Sequence, residues 1–318
     1  MNTANFKCHF CEECLGFGCT GELPGMGGVN DNMNFQLNCA AWNRYALTAQ
    51  EFAGNYFSGD SLPKIRLAPM TGAVENIGYP SEEHFYYDII DACYDAGIAL
   101  SIGDGTPDYK FQYGVHAMRQ LRERAPEAKA AVFIKPYTNE KIFQRIEWCN
   151  SIAESIGIDI DSFNIITMRR RVALEKKSSY QLKEIKSRLN VPFAIKGVFT
   201  PEDVDLVKAV HPDIVVISNH GGRIETRSGS TAEFLDEYAR TLSMHCGEIR
   251  VDGGIRSYTD MLAARALGAA EVLIGRPLAS ALCSGGRLAV MKTVQKLTQD
   301  TRGENQQDAE RQFSAASY

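Results

Sequence analysis

A closed barrel of eight parallel strands, each followed by a helix, is the fold class this sequence predicts, and three observations predict it. Eight short runs rich in β-branched and apolar residues recur from residue 64 onward. They are near-continuous rather than alternating, as strands covered on both faces are. Amphipathic stretches separate them with no linker between, which favours one α/β barrel, a (β/α)8 or TIM barrel. An open doubly wound sheet is the rival arrangement, but it rarely needs eight consecutive strand–helix units. With 318 residues, 44% hydrophobic and 23% charged, the chain can close one such barrel as a single domain.

The elements follow in order. Residues 1–63 form a Gly- and Asn-rich, Cys-bearing extension, 64–299 the barrel, and 300–318 a polar tail. The strand-like runs are 64–70, 98–104, 130–137 and 161–168 (DSFNIITM), then 192–198, 213–220, 248–255 and 271–278. Between them, Phe85, Ile89, Ile90, Cys93 and Ala96 share one helical face, and Ile142, Ile146, Cys149, Ile152 and Ala153 share another. Thr200 reads as the N-cap of a helix that Pro201, Glu202 and Asp203 open.

Composition excludes several classes. A net charge of −5 offers no basic footprint for nucleic acid. No apolar run approaches the roughly 18 residues of a membrane span, and the start MNTANFKCHF is unlike a signal peptide, so a cytoplasmic protein is expected. Of nine cysteines, Cys93, Cys149, Cys246 and Cys283 lie singly and read as small buried hydrophobes. No G-x-G-x-x-G follows a strand, so nothing suggests a nicotinamide site.

In such barrels the chemistry is built at the C-terminal ends of the strands. The fifth run ends in Lys196-Gly197, the sixth in SNHGGR (Ser218 to Arg223), the seventh in DGGIR (Asp252 to Arg256) and the eighth in IGRP (Ile274 to Pro277). Glycine pairs let backbone approach a ligand, and Arg256 with Arg276 supplies charge for a phosphate where barrels commonly bind one. Singly these signals are weak; four in succession are specific.

The stretches IKGVFTPEDVDLVKAVHPDIVVISNHGGR and VDGGIRSYTDMLAARALGAAEVLIGRPL resemble the FMN-dependent α-hydroxy acid oxidase and dehydrogenase family, closely over 192–280 and more loosely back to residue 64. The resemblance implies an FMN-dependent oxidoreductase that oxidises a 2-hydroxy acid, with hydride passing to flavin N5. It implies that Lys196 lies near flavin N1 and O2, that His220 is the base and that Arg223 binds the substrate carboxylate. Asp252, Gly253, Gly254, Arg256, Gly275 and Arg276 would hold the ribityl phosphate. Met70, Thr71, Ser101, Ser218 and Gly221 fall where the family touches the cofactor, and Tyr137 matches a tyrosine facing the substrate. A homo-oligomer is expected by analogy alone.

Three departures qualify this. A gapless alignment puts Ile166 where the family has the aspartate behind the catalytic histidine, and Asn164 where a threonine contacts the flavin. A short gap would instead bring Asp159 or Asp161 there, although both read as a lead-in to the fourth strand. Lys135 stands in place of a flavin-contacting glutamine, where it could still donate a hydrogen bond while adding charge. No active-site tyrosine can be placed in the extension; Cys8, Cys11, Cys14 and Cys19 stand there in C-x2-C-x2-C-x4-C spacing. Four such thiolates suit a [4Fe–4S] cluster or zinc, or bind nothing; a cluster would give reduced FMN an electron acceptor. The alternatives to hydroxy-acid oxidation are another FMN reaction (reduction, isomerisation, oxidative decarboxylation) or electron transfer. Arg169, Arg170 and Arg171 read either as a solvated loop or as a second anion site.

Overall fold

The computed structural model describes residues 33–56, 62–74, 79–165, 172–224 and 226–299. Its strands are β1 (Lys64–Leu67), β2 (Leu100–Gly103), β3 (Ala130–Ile134), β4 (Ala153–Asp159), β5 (Phe193–Val198), β6 (Ile214–Ile217), β7 (Glu248–Asp252) and β8 (Glu271–Ile274). All pair in parallel, in the order β1-β8-β7-β6-β5-β4-β3-β2. β1 and β2 meet through a bridge between Arg66 and Ala99, where Leu67 N–H donates to Ala99 C=O at 2.8 Å and Ala99 N–H to Ile65 C=O at 3.0 Å. The sheet thereby closes on itself.

Helices α3 (Glu82–Asp95), α4 (Tyr109–Arg124), α5 (Asn139–Cys149), α6 (Ser179–Ser187), α7 (Pro201–Val210), α8 (Thr231–Ser243), α9 (Tyr258–Ala266) and α10 (Arg276–Thr298) surround the barrel. Thr200 caps α7 as expected: it accepts from Asp203 N–H while Asp203 reaches back to the Thr200 amide. The same reciprocal cap opens α6, α8 and α9.

Inside the barrel, Ala131, Phe133, Ala194, Ile214, Val216 and Leu273 form one buried layer. Gly157 of β4 faces it and has no room for a side chain, because a Cβ there would lie 2.6 Å from the Phe133 ring. Below this layer, at the N-terminal end, sits a buried ionic network. Arg66 donates to Glu271, to Glu154 at 2.8 Å and to Leu100 C=O, and Arg250 lies 3.5 Å from Glu271.

The fourth strand corrects the sequence reading. It is Ala153–Asp159, not 161–168, and α5 stops at Cys149, so Ile152 and Ala153 belong to no helix face. Two partners decide this: Gly157 pairs with Phe133 on β3 and with Ala194 on β5. A helix running on through Ala153 would leave both neighbours unpaired, and buried backbone groups must be paired. Asp159 therefore ends the strand, and Asp161 follows it, rather than leading in.

The extension is helical where it is described. α1 (Met33–Ala41), a 3-10 turn (Trp42–Tyr45) and α2 (Ala46–Tyr56) pack on the barrel near α8 and α9. Cys8, Cys11, Cys14, Cys19, Ile166 and Arg169 to Arg171 lie outside the described residues.

Candidate active site

Strand alternation carries one side chain per strand into the mouth of the barrel. Ile134 pairs with Ile158, and Asp159 pairs with Lys196; Lys135, Asp159 and Lys196 are therefore lateral neighbours in one layer. Lys196 Nζ is saturated: Asp159 lies at 3.1 Å, Ser218 Oγ at 3.1 Å and Asp252 at 3.5 Å. Ser218 in turn donates to Asp252 at 2.8 Å. Above this belt opens a cavity of about 380 Å³, lined by Lys135, Asp159, Lys196, His220, Arg223 and Asp252, and by the ends of β1, β7 and β8. That volume suits a small-molecule site.

His220 stands over the belt in a left-handed backbone conformation, φ 56°, followed by Gly221 at φ 67°. Such strain persists only when neighbours hold it. Here Asn219 holds it, accepting from Gly222 N–H at 2.9 Å and bonding Asn38 of α1. Contrary to the gapless alignment, the histidine has acidic partners: Nδ1 lies 3.1 Å from Asp161 and 3.6 Å from Asp159. With β4 ending at Asp159, Asp159 and Asp161 are the acids brought up to His220.

The electrostatics assign different states to these groups. Burial, with Lys196, Arg223 and Lys135 close by, holds the imidazole well below its ordinary value despite Asp159, so the neutral base is the resting form. Burial works to raise Asp159, yet Lys196, His220 and Lys135 hold its carboxyl well below the usual range. Burial and the charge of Asp159 push Asp161 well above that range. The two carboxyls are thus pulled in opposite directions and titrate together. Asp161 Oδ1 and His220 Nδ1 share a hydrogen bond at 3.1 Å, and the tautomer sets which of them donates. The three residues bring ligand atoms within 4.8 Å of one another, a spacing a metal ion could use; the ion pair from Lys196 to Asp159 already places a cation there.

Arg223 donates through Nε to His220 C=O at 3.0 Å, and among the described residues the rest of its guanidinium makes no hydrogen bond. At the far side of the mouth the β7 and β8 loops make a tight cradle. Gly253 and Gly254 have φ of 96° and 81°, and a Cβ on Gly254 would stand 1.9 Å from Asn38 C=O. Only glycine fits there. Arg276 opens α10, donates to Gly221 C=O at 2.6 Å and stacks 3.9 Å from the Phe35 ring. Helix α1 and the 3-10 turn after it brace the β6 and β7 loops: Asn38 accepts from Thr231 N–H, Asn34 donates to Ile224 and Arg227 C=O, and Trp42 donates to Gly253 C=O at 2.9 Å.

The family model for FMN-dependent dehydrogenases matches residues 116–306 of this chain. The chain belongs to that family. Among curated relatives, the 2-hydroxyacid oxidase of Dictyostelium discoideum is 38% identical over 119 residues, covering 37% of this chain and 30% of that protein. The 4-hydroxymandelate oxidase of Amycolatopsis orientalis is 36% identical over 121 residues, 38% of this chain and 34% of its own length. Glycolate oxidase 1 of Oryza sativa subsp. indica is 31% identical over 188 residues, 57% of this chain and 47% of that protein. The chain thus spans between 30% and 47% of the length of these relatives. A solved mandelate oxidase mutant with (S)-mandelic acid superposes with a TM-score of 0.63 at 22% identity, over 86% of this chain and 84% of that one, a likeness of fold.

FMN is the family's cofactor, and the mouth fits it: two arginines and a glycine cradle at a helix N-terminus suit the phosphate, and buried Lys196 suits an electron-rich ring edge. Met70, Thr71, Gly221, Arg256 and Gly275 also line the cavity. Three expected residues are not brought there. Tyr137 is turned aside, its hydroxyl 3.2 Å from Thr106 Oγ1 and its ring flanked by Lys141 and Arg145. Ser101 is buried one layer below, and Ser218 acts through Lys196 and Asp252 rather than lining the space. Asn164 lies in the 3-10 turn after β4 (Ser162–Asn164). Sequence reasoning missed the lining residues Gly103, Asp104, Thr106 and Lys110, and the bracing role of Asn34 and Asn38. The alternation Ile156, Ile158, Ile160 around two aspartates was the available signal for β4.

Proposed function

We propose that this protein oxidises a 2-hydroxy acid to the 2-keto acid. The observation that carries the reading is a neutral histidine backed by two carboxyls beside the unengaged guanidinium edge of Arg223, at the mouth of a barrel whose family uses FMN. FMN, when bound, supplies the two-electron acceptor. Arg223 binds the substrate carboxylate with its planar fork, and His220 Nε2 takes the hydroxyl proton. Asp161 orients the ring through Nδ1, and ionised Asp159 stabilises the imidazolium that results. Gly253, Gly254, Arg256, Gly275 and Arg276 hold the phosphate end, while Lys196, paired with Asp159 and Asp252, meets the ring.

The test is a visible spectrum recorded without oxygen while a panel of 2-hydroxy acids is added. Bleaching of the flavin band by one of them supports the reading, and reoxidation by air or by an added acceptor separates oxidase from dehydrogenase. A bound flavin untouched by the whole panel overturns it and moves the weight to another FMN reaction.

From their spacing we infer that Cys8, Cys11, Cys14 and Cys19 hold a metal centre, iron–sulfur or zinc; a cluster would offer reduced FMN an electron acceptor. Iron, sulfide and zinc analysis of the purified protein decides it. A homo-oligomer is proposed by analogy with the family alone and a cytoplasmic location as the default; among the described residues no helix is long and apolar enough to cross a membrane.

A further inference from the structure

Two ammonium groups flank Asp159 in the belt, and they are treated unequally. Lys196 has three oxygen partners within 3.5 Å. Lys135 is buried, lines the cavity, and its ammonium has no hydrogen bond or ion pair among the described residues. Asp104, one of the acids beside it, uses Oδ2 to accept the Lys135 main-chain N–H at 3.4 Å and to face Arg145 at 3.5 Å. The other charged groups facing Lys135 are Asp159 and Asp161, which attract it, and Arg223, which repels it. A buried cation without a partner costs several kcal/mol unless something neutralises it. Among the described residues, Lys135 borders the same cavity as Lys196.

We propose that Lys135 sets the potential of the bound flavin: its ammonium waits for the negative charge that two-electron reduction adds to FMN, and supplements Lys196 in holding it. The proposal rests on FMN occupying this mouth. Position argues for the flavin over a second anionic group on the substrate, because Lys135 lies in the same layer as Lys196, on the opposite side of Asp159. Asp159 then has a second use, keeping two ammonium groups apart while the site is empty of charge.

The experiment measures the midpoint potential of the FMN-loaded protein against a reference dye, and its affinity for sulfite, which adds to flavin N5 and leaves negative charge on the ring. In Lys135→Met, sulfite should bind at least tenfold more weakly, and the potential should fall by about 30 mV or more, the equivalent of tenfold for a two-electron couple. Lys135→Arg should stay within threefold of wild type. The apoprotein of Lys135→Met should also melt at a higher temperature than wild-type apoprotein, since an uncompensated charge is gone. Should Lys135→Met fail to hold FMN, Lys135→Gln removes the charge while keeping a donor and carries the same reading. An unchanged potential and sulfite affinity in a flavin-bound Met or Gln variant overturns the proposal, even if the affinity for a dicarboxylate substrate drops. A wild-type protein that takes up no FMN defeats the proposed function and this proposal together, so the two failures are distinguishable.

Discussion

The two ends of the barrel both bury charge, and they bury it differently. At the N-terminal end, Arg66 is surrounded by Glu271, Glu154 and a main-chain carbonyl, and these anions hold its guanidinium above its ordinary value against the cost of burial. At the C-terminal end Lys196 is likewise held up by Asp159 and Asp252, but burial wins at Lys135, Arg223 and His220, which are pushed below their ordinary values. The fold satisfies its lower charges internally and leaves these three upper ones short of counter-charge. A structural ionic network is complete without a ligand, whereas a binding site is completed by one.

Three substitutions sharpen that contrast. The largest effect is expected at the mouth. His220→Gln should lower kcat by about 10²–10⁴ while the flavin spectrum and chemical reduction of FMN persist. Because burial depresses the folded pKa of His220, the base form survives as pH falls through the ordinary value of about 6.5. The acid limb of kcat/KM in the wild type should therefore lie below that pH, and a limb above it would contradict the assignment. At the floor, Arg66→Met takes from buried Glu271 its main counter-charge and leaves it only Arg250, 3.5 Å away. It should cost about 3–5 kcal/mol in denaturant unfolding and leave kcat/KM unchanged in the folded protein. A loss of turnover without a loss of stability would erase the distinction between the two ends.

The smallest expected effect belongs to Asp104, between the two layers. Burial raises its carboxyl to about 6, although Arg145 and Lys135 oppose this. A raised acid favours the fold below its unfolded value of about 3.9, and that contribution is lost as pH rises to about 6. Asp104→Asn should therefore gain stability relative to wild-type apoprotein between pH 4 and pH 7, by at most roughly 3 kcal/mol. Melting curves at the two pH values check it; a difference that does not grow with pH removes Asp104 as a burdened group.

How much of this was legible varies along the chain. The β5–β8 half was readable because each strand end carries a glycine-rich motif, and glycine at a positive φ or a close approach leaves a mark in the sequence. The β1–β4 half carries no such motifs. Around β4 the helix and strand periods overlap, since Ile146, Cys149, Ile152 and Ala153 fit one period while Ile156, Ile158 and Ile160 fit the other. Local pattern could not choose between them; pairing with Phe133 and Ala194 did.

The sequence by itself determined the closed eight-stranded barrel, the cradle at the ends of β7 and β8, and the basic and imidazole groups at the mouth, because those depend on burial period and residue type. Only the tertiary structure decided which acids face His220, that Tyr137 and Ser101 stand aside, that α1 braces the β6 and β7 loops, and that the Lys135 ammonium has no hydrogen bond or ion pair among the described residues. Each of these is a contact between residues far apart in the chain, and register and packing, not local composition, set which long-range neighbours meet.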